Sequence, residues 1–157
     1  MMGAFIHDPD GLEGKPGTTR GLSLLPVETV LKAPKTTTLT DFSWQGAKGT
    51  GYEIHMGQTT LKNGKPMFYV RQRNAKPCED QDGCIADGFR IMGTYIHGLF
   101  DTPGITSRWL GNIGLAGIKV SKTCGLAARD KQYDLLSDYF EKHINTSSIA
   151  NNVGVDL

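Results

Sequence analysis

The sequence predicts an α/β fold built on a strand-rich, open sheet. Short β-branched and apolar runs fill the middle of the chain, and helical spacing of apolar residues appears only after residue 102. The length of 157 residues suits one domain with its own core. Because parallel strands need crossover helices and few are evident, we expect some elements that complete the sheet to lie outside this chain.

The first predicted elements are a loop and two strands. Residues 1–21 are rich in turn-forming glycine, proline and aspartate, so they predict a loop after a short apolar start. A short apolar run follows at 22–30. Residues 35–44 contain many threonines, whose β-branched side chains favour a strand, and residues 51–61 are the next strand candidate.

The middle of the chain contains one hairpin signal and one long β-like run. Asn63-Gly64 stands between the runs at 51–61 and 67–71, a pattern that predicts a β-hairpin. Residues 82–87 predict a turn. Residues 89–100 then form an apolar run that predicts a continuous strand.

Helices are predicted only in the last third of the chain. Thr102 followed by Pro103 is typical of a helix start. Asp130 is predicted to cap a second helix, with one apolar stripe formed by Tyr133, Leu136, Phe140 and Ile144. The polar residues 146–157 predict a flexible tail.

The composition excludes several classes of partner. The formal net charge is +1 and basic residues are dispersed, so nothing favours nucleic acid or an anionic membrane surface. No stretch approaches about 18 uninterrupted apolar residues, so no membrane span is predicted. The apolar start lacks a preceding basic region and leads directly into His7, Asp8 and Asp10, so we expect a cytoplasmic protein.

The three cysteines predict neither a disulfide framework nor a metal centre, because their number is odd and their spacing does not suit zinc. Cys78 follows a proline, Cys84 lies in a predicted turn, and Cys124 follows Lys122-Thr123. None has the small neighbours on both sides that a nucleophile elbow requires. We therefore interpret all three as structural or incidental.

His97 is the strongest candidate for chemistry. It ends an apolar run and precedes Gly98, and a histidine titrates near neutrality, so it can accept and return a proton. Ligands of open α/β sheets bind beyond the ends of strands, where this histidine is expected. On the residues alone, a half-buried histidine with a backbone partner is the favoured interpretation, and a general acid–base is the alternative.

A second candidate lies on the strand at 51–61. The period of two places Glu53 and His55 on one face and Tyr52 on the other. A carboxylate beside a histidine orients the ring and favours its charged form, so the pair could bind a ligand. The alternative is a solvated strand face. Metal binding is weakly supported, because two side chains do not make a site.

Two blocks of sequence resemble one known family. Residues 51–57 (GYEIHMG) and 93–101 (GTYIHGLFD) are similar to signature blocks in the glutaminase domain of the cobyric acid synthase family. The first block distinguishes it from the sister family that makes the a,c-diamide. The resemblance implies a partial class I glutamine amidotransferase-like, flavodoxin-like sheet, with the C-terminal part of that domain at residues 1–145 and a flexible tail at 146–157.

The resemblance also implies an activity. Members hydrolyse glutamine through a cysteine thioester, and an ATP-dependent synthetase domain uses the ammonia to amidate peripheral carboxylates of cobyrinic acid a,c-diamide in cobalamin biosynthesis. His97 is then the general base and acid. The candidate substrate-binding residues are Tyr52, Glu53 and His55. ATP and magnesium are expected only in the synthetase domain, so no cofactor or metal is expected in this chain.

The family's nucleophile sits in a Gly-x-Cys-Gly-Gly elbow that ends near Met-Met-Gly, and this chain begins with Met1-Met2-Gly3. We therefore expect the first strands and the nucleophile to lie outside it, so that the chain alone is inactive. Its expected partners are glutamine, the synthetase domain and a second copy covering exposed apolar surface. The alternatives are a non-catalytic binding or docking module, and the glutaminase part of an a,c-diamide synthase.

Overall fold

The computed structural model describes residues 1–122 and 125–154, which form two compact units that divide between Val120 and Ser121. The first unit contains eleven strands and one α-helix, and its strands form a mixed sheet, an antiparallel sheet and a two-stranded ribbon. The described part of the second unit contains two α-helices. The fold class is thus α/β and strand-rich, as predicted.

The smaller of the two sheets begins within the segment predicted as a loop. It comprises β1 (Phe5–Asp8), β2 (Gly17–Arg20), β3 (Val27–Val30) and β6 (Gln58–Leu61) in the order β2-β1-β3-β6. Only β1 and β3 pair in parallel. The loop prediction for residues 1–21 was therefore wrong: β1 and β2 form a hairpin.

Asp8 explains why turn-rich residues still close a hairpin. Its carboxylate accepts hydrogen bonds from the N–H groups of Leu12, at 2.8 Å, and Glu13, at 2.9 Å. These N–H groups lower the pKa of the Asp8 carboxyl. The turn-forming residues thus lie only in the connection between β1 and β2, while His7 and Thr18 pair across the two strands.

The second sheet carries the candidate site. It comprises β4 (Thr36–Trp44), β5 (Ala47–His55), β7 (Phe68–Arg73), β8 (Lys76–Asp82) and the two-residue β11 (Ile96–His97). The order is β11-β5-β4-β7-β8, and every neighbouring pair is antiparallel. The strand predicted at 35–44 is confirmed as β4.

The predicted hairpin at Asn63-Gly64 was wrong. The run at 51–61 breaks at Met56-Gly57 into β5 and β6, which belong to different sheets. β6 pairs with β3, whereas β7 pairs with β4 and β8. Pairing with distant strands therefore overrides the local turn signal at Asn63-Gly64.

The continuous strand predicted at 89–100 was also wrong. β9 (Cys84–Ala86) and β10 (Ile91–Gly93) form the ribbon, and short 3-10 turns occupy Asp87–Phe89 and Leu99–Asp101. The Thr94 hydroxyl accepts a hydrogen bond from the Ile96 N–H at 3.0 Å, so this side chain bonds to the backbone where a continuous strand was predicted. The turn predicted at 82–87 is limited to its beginning, since residues 84–86 form β9.

The helix start at Thr102-Pro103 is confirmed, because α1 spans Pro103–Asn112 with Thr102 as its N-cap residue. Helix α2 spans Gly125–His143, so Asp130 lies inside it and the predicted cap was wrong. The apolar residues of its predicted stripe are exposed. Helix α3 (Thr146–Val153) occupies the predicted tail, whose flexibility stays a prediction.

The apolar core of the first unit lies on one face of the five-stranded sheet, here called the inner face. Its buried side chains are Phe42, Trp44, Met67, Phe68, Val70 and Ile96, with Ile105 from α1. Phe42 and Phe68 meet edge to face, with ring centroids 4.7 Å apart. Among the described helices, none is long and apolar enough to cross a membrane.

Candidate functional site

His97 lies on the face of the five-stranded sheet opposite the core, here called the outer face. It pairs with Tyr52 across β11 and β5, and the two rings stack with centroids 5.0 Å apart and planes 10° from parallel. A Cβ at Gly51 would stand 2.4 Å from the His97 carbonyl oxygen. The lack of a side chain at Gly51 therefore lets β11 approach β5 closely.

The imidazole of His97 is exposed and faces an open surface. Within residues 1–122 and 125–154, no hydrogen bond or ion pair to this ring is found. Leu39 pairs with Tyr52 on the next strand and is 68% exposed, so the surface beside the ring is apolar. A histidine with both ring nitrogens available can exchange a proton with a group brought to this face.

Glu53 is the centre of a buried polar cluster on the inner face. Its side chain is 3% exposed, and Oε1 accepts hydrogen bonds from Thr40 Oγ1 at 2.7 Å and from Arg73 Nε at 3.2 Å. Arg73 also binds Asp80 through Nη1. The buried carboxylate is thus fully paired, as burial of a charge requires.

His55 completes this cluster on the same face. Its Nδ1 lies 3.0 Å from the Gly57 carbonyl oxygen, and its Nε2 lies 3.4 Å from Glu53 Oε2. Both ring nitrogens of His55 therefore face oxygen atoms. The ring also lies 4.9 Å from that of Tyr95, which connects β5 to the segment before His97.

Asp82, at the end of β8, holds the segment before His97. Its Oδ2 accepts hydrogen bonds from the Thr94 hydroxyl and, at 3.3 Å, from the Tyr95 N–H. Burial raises the pKa of the Asp82 carboxyl above its ordinary 3.8, and the Glu53 carboxylate adds to the rise. The hydrogen bonds from Thr94 and Tyr95 oppose that rise.

These polar groups line a cavity of about 530 Å³ between the two sheets. Its walls include the cluster residues and the hydroxyl-bearing side chains Thr29, Thr59, Thr94 and Tyr95. The Tyr95 hydroxyl lies 2.7 Å from Thr59 Oγ1, which in turn lies 2.7 Å from Thr29 Oγ1. Hydrogen bonds along the cavity wall therefore link β3 and β6 to the segment before His97.

The structure divides the residues singled out in the sequence into two groups. Tyr52 lies with His97 on the outer face, and Glu53 lies with His55 on the inner face. The predicted alternation along β5 is confirmed. Sequence reasoning gave no site role to Arg73 or Asp82, because they reach the cluster only through the pairing of β4, β7 and β8.

The described cysteines are badly placed to act with His97. Cys84 is buried in the core, and burial raises the pKa of its thiol, which disfavours the reactive thiolate. Cys78 lies on β8, four strand spacings or about 19 Å across the sheet from β11. Cys124 lies outside the described residues. In the described part of the chain, no group of three potential metal ligands occurs.

Comparison with known proteins identifies relatives. Residues 1–104 match the family model of the CobB/CobQ-like glutamine amidotransferase domain. A cobyric acid synthase from Chlorobium phaeobacteroides is 38% identical over 149 residues, which cover 92% of this chain and 29% of that protein. The cobyric acid synthase from Clostridium novyi is 33% identical over 99% of this chain and 33% of its own length. The one from Streptococcus sanguinis is 34% identical over 95% of this chain and 31% of its own length. The chain therefore spans about a third of these relatives.

Proposed function

We propose that this chain, which belongs to the CobB/CobQ-like glutamine amidotransferase family, forms the histidine-bearing part of a glutamine-hydrolysing domain. The observation that supports this most strongly is the exposed His97 imidazole, held by its stack on Tyr52 and open to a reactant on the outer face. The chain's similarity to cobyric acid synthases supports the more specific proposal that the whole protein is one of them.

The proposed chemistry divides hydrolysis into two steps. His97 takes the proton of a cysteine thiol, and the thiolate attacks the glutamine amide carbon. The imidazolium then gives its proton to the departing amine, so ammonia leaves and a thioester remains. In the second step His97 takes a proton from water, which attacks the thioester, and returns it to the thiolate as glutamate leaves.

The thiol must come from outside the described residues. Cys78 is excluded by its distance from His97, and Cys84 is excluded by its burial. Position 99, two residues after His97, is Leu99, so no acid stands there to form a triad with the histidine. Cys124 lacks the small neighbours on both sides that a nucleophile elbow requires, so we propose a histidine–cysteine dyad whose cysteine comes from another segment of the whole protein. In that protein the ammonia would pass to an ATP- and magnesium-dependent synthetase domain, which amidates peripheral carboxylates of cobyrinic acid a,c-diamide.

The proposed substrate contacts separate by face. We propose that Tyr52 lines the glutamine site, because its ring stacks on that of His97. Glu53 and His55 lie on the inner face, so their placement supports a role behind the sheet rather than direct contact with glutamine at His97. We also propose that a second copy covers exposed apolar surface of this chain, which light scattering can test.

The experiment compares the isolated chain with a hybrid enzyme. In the hybrid, this chain replaces the matching segment of the Chlorobium phaeobacteroides relative, whose remaining residues would supply the thiol. The proposal expects glutamate release from glutamine by the hybrid and none by the isolated chain. A folded hybrid that binds glutamine but releases no glutamate would favour a non-catalytic binding module, and one that does not bind it would favour a docking module.

A further inference from the structure

The backbone that leads into His97 is fixed from behind the sheet. Asp82 Oδ2 accepts hydrogen bonds from both the hydroxyl of Thr94 and the N–H of Tyr95. The same Thr94 hydroxyl oxygen accepts the N–H of Ile96 at 3.0 Å. One carboxylate oxygen therefore determines the path of three consecutive residues, and His97 follows directly.

The chain is shaped to allow this contact. Gly83, next to Asp82, has a φ of +74°, and a Cβ there would lie 2.7 Å from the Gly93 carbonyl oxygen. Any larger residue would push the end of β8 away from the segment at 93–96. The close approach is therefore built into the backbone on both sides of the Asp82 carboxylate.

The Asp82 carboxyl makes these hydrogen bonds although it is buried. Asp82 is 9% exposed, and burial together with the Glu53 carboxylate raises the pKa of its carboxyl. Asparagine offers the same acceptor oxygen without a buried charge. Comparing Asp82→Asn with the parent therefore separates the hydrogen-bond geometry at Oδ2 from the charge of the carboxylate.

We propose that Asp82 is a positioning residue for His97, which holds the Thr94–Tyr95–Ile96 backbone so that the imidazole emerges on the outer face against Tyr52. This inference rests on the proposed function for its catalytic meaning. The dependence of the His97–Tyr52 contact on the Asp82 hydrogen bonds does not require the proposed function.

The test reads the ring contact directly in the isolated chain. Nuclear Overhauser effects between the His97 and Tyr52 ring protons are measured by NMR, and the signals of the four histidines are assigned with His97→Gln. Asp82→Ala removes the acceptor, whereas Asp82→Asn keeps it. Asp41→Ala, which removes an exposed carboxylate from β4 of the same sheet, is the matched control. Thr94→Val removes the bridging hydroxyl and replaces Asp82→Ala if that variant does not fold.

The expected result is loss of the His97–Tyr52 cross-peak in folded Asp82→Ala or Thr94→Val, and its retention in Asp82→Asn and Asp41→Ala. A cross-peak of parental intensity in folded Asp82→Ala, or in Thr94→Val where it is the substitute, would overturn the inference. No glutamine is present in this measurement. Its failure can therefore be distinguished from failure of the proposed glutaminase function, which the hybrid enzyme tests.

Discussion

The imidazole of His97 stacks on the phenol ring of Tyr52, with the centroids 5.0 Å apart and the planes 10° from parallel. The contact joins the edge strand β11 to β5 on the outer face, away from the buried cluster around Glu53. The orientation of the proposed general base therefore depends on an aromatic neighbour that the sequence marked only as a substrate-binding candidate.

Replacing Tyr52 with leucine should release the ring of His97. The stack holds the imidazole within the ring current of Tyr52, so the His97 ring protons should move downfield in Tyr52→Leu and stay near their parental positions in Tyr52→Phe. Loss of an exposed aromatic pair should lower the free energy of unfolding by at most about 1 kcal/mol. Unchanged His97 shifts in Tyr52→Leu, measured by NMR, would contradict the stack.

Arg73→Ala should destabilise the chain strongly. It removes the guanidinium that pairs the buried Glu53 carboxylate, and breaking a buried pair costs about 3–5 kcal/mol. Arg71→Ala is the matched control, because Arg71 lies on the same strand with an exposed side chain and should change stability by less than about 0.5 kcal/mol. Urea unfolding measures both variants. Equal, small effects would show that Arg73 is not needed to pair Glu53.

Asp82→Asn should gain stability relative to the parent as the pH rises. The pKa of the Asp82 carboxyl is raised on folding, so the folded state binds its proton more tightly than the unfolded state does. The contribution of Asp82 to stability therefore falls as the pH increases from 3.8 through its folded pKa. Asparagine has no such loss.

The measurement for Asp82→Asn is the difference in unfolding free energy between variant and parent at several pH values. Asp8, Glu28 and Asp80 have lowered pKa values and gain stability with rising pH, but they are common to both proteins and cancel in the difference. A difference that stays flat, or that moves against the variant as the pH rises, would contradict the assigned direction.

Gly51→Ala should disturb the packing of β11 against β5. The new methyl group would stand 2.4 Å from the His97 carbonyl oxygen, and relieving such overpacking costs about 1–3 kcal/mol. Gly111→Ala is the opposite case, because it lies in α1 with open space around it and should gain up to about 1 kcal/mol from helix propensity. Thermal unfolding should show a lower Tm than the parent for Gly51→Ala and a higher Tm for Gly111→Ala.

The parts of the fold that could be predicted depend on local patterns. β4 follows from a run of β-branched threonines, α1 follows from Thr102-Pro103, and the two faces of β5 follow from its period of two. Each of these signals lies within one segment, so no knowledge of distant partners is needed.

The parts that could not be predicted depend on pairing between distant segments. Asn63-Gly64 carries a strong local turn signal, yet the strands beside it join different sheets. Likewise Asp82 contacts Thr94 only because β8 ends against the segment after β10. The role of His97 came from family resemblance, and its stack on Tyr52 could not be predicted because it depends on the pairing of β11 with β5.

The central claim is that His97 activates a thiol for glutamine hydrolysis, and His97→Asn in the hybrid enzyme tests it most directly. General acid–base catalysis contributes about 10²–10⁴-fold, so kcat for glutamate release should fall by that factor. His143→Asn, on α2, should leave kcat unchanged. A His97→Asn hybrid that releases glutamate at the parental rate would contradict the account.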